Sequence, residues 1–121
     1  MRGVICMRIK GIEKGAIMAG KLRAIVKRTD EPYGHVCNIS GSLENLQKIV
    51  GGYIETVPVG AKHVLIVNEE GKLRSLPFNF HMGRYDTIVG DAIVLGVKDE
   101  EFTDASMQFW LWKELLKEWG N

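Results

Sequence analysis

Ser42-Leu43-Glu44-Asn45-Leu46-Gln47-Lys48-Ile49-Val50-Gly51-Gly52-Tyr53-Ile54-Glu55-Thr56-Val57 changes its period partway along. Leu43, Leu46, Ile49 and Val50 recur at helical spacing and define one apolar face. Ser42 is suited to cap that helix, because its hydroxyl can accept a free backbone N–H of the first turn. Gly51-Gly52 stops it, since glycine takes the left-handed conformation past a helix end without steric cost. Tyr53–Val57 then reads as a strand that Pro58 either ends or marks as an edge. A short amphipathic helix running straight into a strand sets the class as α+β.

Upstream, Leu22–Lys27 is a short buried strand, and Asp30-Glu31-Pro32-Tyr33-Gly34 supplies turn chemistry. His35–Ile39 follows as its hairpin partner. Downstream, His63–Asn68 is an almost continuous apolar strand. Glu69-Glu70-Gly71 is the tightest hairpin signal, with Lys72–Leu76 as the expected return strand. Leu76–Phe80 leaves the sheet, Gly83–Asp86 is a loop, Ile88-Val89-Gly90 re-enters, and Ala92–Val97 is a buried strand. The pattern predicts one α+β domain with a mostly antiparallel or mixed sheet of about five to six strands, backed by a central helix and a Trp-rich C-terminal helix.

That last helix is expected over Ala105–Trp119, capped by Asp104 or Thr103 and ended by Gly120. Phe109, Leu111, Trp112, Leu115, Leu116 and Trp119 share a broad face. Trp110 falls among Lys113, Glu114 and Lys117 on the polar side. An indole there meets another chain, a flap of its own chain or a ligand. Trp110, Trp112 and Lys113 are the expected interface residues of a homo-oligomer.

A chain of 121 residues with 45% hydrophobic and 26% charged residues is one folded unit rather than a disordered tail. Its parts are a basic extension over 1–20, the α+β body over 21–104 and the helix over 105–121. Apolar runs such as Val64-Leu65-Ile66-Val67 fall far short of the roughly 20 residues of a membrane span. Charges within Met1–Gly20 argue against a secretory signal, so a cytoplasmic protein is expected. Codons for Lys14-Gly15-Ala16 can resemble a ribosome-binding sequence, which leaves Met18 open as an alternative start.

The net charge of +1 hides an asymmetry. Met1–Arg28 holds eight basic residues, Arg23 and Arg28 among them, against Glu13 alone. That segment either meets a phosphate-bearing ligand or is neutralised by the acidic remainder. With no overall basic excess, genomic nucleic acid is not the expected partner.

No catalytic set emerges. His35 and Cys37 share a strand face but lack a third, orienting group. His35, His63 and His81 lack metal-ligand spacing, and Cys6 and Cys37 form no CxxC, so neither metal nor cofactor is implied. Glu69-Glu70 sits at a wet turn tip, and Gly51-Gly52 closes a helix rather than opening a phosphate loop. The segment Arg74–Tyr85 is richer. Arg74, Asn79, His81, Arg84 and Tyr85 lie near Phe78 and Phe80, a mixture of forked cations, an amide and rings that suits a nucleotide-like anion. The competing reading makes the phenylalanines core plugs and the arginines solvated.

Leu46–Glu55, Asn68-Glu69-Glu70-Gly71-Lys72, Leu76-Pro77-Phe78-Asn79 and Ile88–Val94 together resemble domain-of-unknown-function family 3846, small proteins of phages and other mobile elements. The resemblance covers about Lys21 to Asp104, with the final helix as an addition. It implies a setting, an infected bacterial host, rather than a mechanism. The expected function is a non-enzymatic, oligomeric phage protein that sequesters a small nucleotide-derived ligand of host defence through Arg23, Arg28, Arg74, Asn79, His81, Arg84 and Tyr85. The alternative is an inhibitor that docks on a host defence enzyme through the C-terminal helix.

Overall fold

A computed structural model describes the backbone of strand Ile5–Cys6 and residues 20–84 and 86–121. The strands are β1 (Ile5–Cys6), β2 (Lys21–Lys27), β3 (His35–Ser40), β4 (Ile54–Val59), β5 (His63–Asn68), β6 (Phe78–His81), β7 (Thr87–Val89), β8 (Ala92–Lys98) and β9 (Glu101–Thr103). Among the described residues two helices join them, α1 (Leu43–Val50) and α2 (Phe109–Glu118). The main sheet runs β1-β4-β5-β8-β2-β3, with β9 on β8 beyond the end of its pairing with β2. Every pairing is antiparallel, and β6 and β7 form a separate two-stranded sheet. Among the described residues no helix is long and apolar enough to cross a membrane.

The sheet is covered on both sides, which is why β5 and β8 read as unbroken apolar runs. On one face Leu22, Ala24, Ile66, Ile93 and Leu95 pack with Leu46 and Val50 of α1. On the other, Ile25, Leu65, Val67 and Val94 pack with Trp112 and Leu116 of α2 and with Phe80 and Ile88 of the small sheet. The expected β2–β3 hairpin pairs over its whole length, from Lys21 opposite Ser40 to Val26 opposite His35. Ser42 accepts the N–H of Asn45 at 3.1 Å, and Gly51 closes α1 at φ 83°.

Four expectations are corrected. The Lys72–Leu76 return strand is absent: residues 69–75 coil into successive turns, with Arg74 N–H donating to Glu70 O and Leu76 N–H to Gly71 O. The hairpin instead joins β4 to β5 across Gly60-Ala61-Lys62, and Pro58 lies inside β4 past the stretch paired with β1. Ile88-Val89 belongs to the small sheet rather than to the main one. Finally, 104–108 is an extended lead-in and α2 begins only at Phe109. The reason is tertiary: the Arg23 guanidinium takes the carbonyls of Ala105 and Met107, and Arg23 N–H takes Asp104 Oδ1, so Asp104 is spent on the sheet rather than on a helix cap.

Candidate functional site

The residues expected to converge on an anion are dispersed. Arg74 donates to the Gly51 carbonyl at 2.9 Å, at the end of α1. Arg23 is half-buried under the lead-in to α2, and Arg28 is exposed in the turn after β2. Arg84 is exposed in the β6–β7 loop, and Tyr85 lies outside the described residues. His81 is exposed on β6, its backbone paired with the Asn121 side chain and its ring 4.9 Å from Phe78. Phe80 is a core plug, whereas Phe78 is exposed.

Asn79 is buried and spent. Its Nδ2 donates to Lys27 O and Gly90 O at 2.9 and 2.8 Å, and its Oδ1 accepts from Lys27 Nζ at 2.6 Å. Lys27 also donates to Glu31 O, lies 5.5 Å from the Phe80 ring and is 4% exposed. Burial pushes its ammonium below the ordinary 10.5, against the pull of Glu31 and Asp91. A hollow of about 310 Å³ opens beside it, but Asp30 and Glu31 line it too. One cation and two carboxylates do not make an anion site, and this cluster staples β2 to β6.

The final helix is different. Trp112 is 0% exposed, donates Nε1–H to Tyr33 O at 2.8 Å and meets Phe80 and Trp119 edge-on at 5.7 and 5.9 Å. It belongs to the core and is withdrawn from the expected interface. Lys113 is half-buried, its ammonium over the rings of Tyr33 and Phe109. Trp110 remains as expected, 63% exposed, and Leu111 beside it is 45% exposed.

Leu111 also lines a groove of about 770 Å³. One wall is α2, through Leu111, Leu115, Glu118 and Trp119; the other is the β4–β5 turn from Pro58 to His63, with Met82 and Met107 between. The fold builds it in three steps. Glycine at 96 lets the chain cross β8 closely, because a Cβ there would strike Asp104 O and Thr103 Oγ1. Arg23 then holds the lead-in from one side. From the other, His63 Nε2 accepts the N–H groups of Ser106 and Met107 at 3.1 and 3.2 Å. Those bonds put the neutral ring's proton on Nδ1. Burial, then Lys62 and Arg23, hold His63 below its ordinary 6.5.

Sequence reasoning weighed His63 only as a metal ligand and missed Met82, Met107 and the β4–β5 turn. The available signal was the final helix, which carries more large apolar residues than one buried face can cover. Among the described residues, no three His, Cys, Asp or Glu side chains are placed to hold a metal ion.

The family of domains of unknown function DUF3846 matches residues 22–117. The chain belongs to the DUF3846 family. That match runs past Asp104 through most of α2, so the helix is part of the DUF3846 domain rather than an addition to it. No curated protein and no solved structure matches the chain.

Proposed function

We propose that this DUF3846 domain is a binding module, not an enzyme, and that it docks a partner protein by taking an amphipathic helix into the groove beside α2. The observation that carries the reading is Leu111: an apolar side chain left open to solvent at the lip of an apolar groove. A concave site lined mainly by apolar side chains is a common form of binding site. Over its 10 residues α2 offers a straight wall of about 15 Å. Met82 and Met107 on the floor adapt to a partner's side chains. Lys62 and Glu118 on opposite walls offer one charge of each sign to a helix lying between them. In the phage or mobile-element setting suggested by the family resemblance, the partner is a host defence enzyme, and docking blocks it.

Sequestration of a nucleotide-derived ligand is the second reading. It keeps the support of that same setting, but its arginines do not share a pocket. One experiment separates the two. A photoreactive phenylalanine derivative is placed at position 111 of the full chain and irradiated in the bacterial host. The cross-linked protein is identified, purified and titrated with the unlabelled domain. Docking predicts at least tenfold weaker binding for Leu111→Glu and no change for Lys48→Ala, which is exposed on α1 across the sheet. Equal binding by Leu111→Glu overturns it. A nucleotide released on heating the purified domain, with no cross-linked protein, supports sequestration instead.

A further inference from the structure

Among the described residues the sheet ends at β3, and the direction of that strand's backbone groups follows from one hydrogen bond. Gly41 N–H donates to Gly20 O, so Gly20 and Gly41 form a hydrogen-bonded pair. Antiparallel ladders alternate, so Leu22–Ile39, Ala24–Cys37 and Val26–His35 are the bonded pairs that follow. The opposite edge of β2 agrees, because Arg23 turns its N–H to Asp104 and its C=O to Ala105. Val36, Asn38 and Ser40 therefore aim their N–H and C=O away from the sheet. The Ser40 carbonyl is already taken by Asn45 Nδ2 at 2.9 Å. That leaves five open groups: the N–H and C=O of Val36 and of Asn38, and the N–H of Ser40.

This edge carries none of the usual protections. His35–Ser40 has no Lys, Arg, Asp, Glu or Pro, and it pairs with β2 without a bulge. Val36 is 40% exposed. The open groups of Val36 and Asn38 are symmetric about Cys37. A two-fold axis there sets Val36 opposite Asn38 of a second copy, and those four groups on each copy find partners. A net charge of +1 gives the copies little reason to repel.

We infer that β3 is a self-pairing edge, and that two copies of this chain join there, antiparallel about Cys37, into one continuous sheet. The surface is separate from the α2 groove and stands or falls without it. The test is sedimentation equilibrium of the full chain, with amide hydrogen exchange at low and high protein concentration. A dimer that dissociates on dilution is expected, with the Val36 and Asn38 amides at least tenfold more protected in the concentrated sample. Asn38→Pro removes an outward N–H without breaking the β2–β3 ladder and is expected to sediment as a monomer, while Trp110→Ala stays dimeric. A chain monomeric at every concentration, a dimer with those two amides unprotected, or a folded Asn38→Pro dimer overturns the inference. Should Asn38→Pro fail to fold, the exchange measurement on the unaltered chain decides.

Discussion

The two helices cover opposite faces of one sheet, yet they are finished differently. α1 is capped by adjacent residues, Ser42 at the start and Gly51 at the stop, with Asn68 and Arg74 also donating to the Val50 and Gly51 carbonyls, and it sends Leu46 and Val50 inward. α2 has no side-chain cap at Gln108. Its lead-in is fixed by Arg23 and His63, residues far away in sequence, and it leaves Trp110 and Leu111 in water. A helix whose caps lie beside it in sequence is placed by local signals. One whose start the rest of the fold must hold, with apolar surface to spare, is where the groove forms.

The largest effect expected on this contrast falls inside α2. Trp112→Ala empties the space between Phe80 and Trp119 and orphans the Tyr33 carbonyl, lowering stability by about 3–5 kcal/mol in urea unfolding. A loss below about 1 kcal/mol would break the assignment of this ring to the core. The caps come next. Ser42→Ala should cost about 1 kcal/mol, because it removes the bond to Asn45 N–H. Gln108→Ala should change stability by less than about 0.5 kcal/mol, and equal losses would erase the distinction between the helices.

His63 sharpens the same distinction through pH. The unfolded chain takes up the imidazole proton near 6.5, whereas the folded chain does so only at lower pH. Between those two values the unfolded state binds more protons, so stability falls as pH falls and levels off below the folded value. His63→Gln should flatten that part of the urea-midpoint profile, while Ser42→Ala should leave its slope unchanged. The smallest effect belongs to Trp110→Ala, within about 0.5 kcal/mol by thermal melting, because that ring is mostly in solvent.

Much of the architecture was legible from local signals. The β2–β3 hairpin, α1 with both caps, β5, β8 and the outward Trp110 each rest on a period or a turn residue within a few positions. The failures share one cause. Lys72–Leu76 follows a hairpin turn signal, but it coils into turns closed by its own backbone bonds. Ala105–Gln108 is helical by propensity, but its backbone groups are claimed by Arg23 and His63. The residues expected at an anion site are separated for the same reason. Closeness in sequence placed Arg74, Asn79 and Arg84 together, whereas Arg74 reaches back to α1 and Asn79 is consumed by Lys27.

By itself the sequence determined the α+β class, the limits of its best-marked strands and the face α1 buries, because hydrophobic period and turn chemistry act over a few residues. Only the tertiary structure decided which polar groups are already spent, that Trp112 is core while Leu111 is lip, and that a groove exists at all. Those outcomes depend on which backbone and side-chain groups meet across the sheet, and no local pattern encodes that meeting.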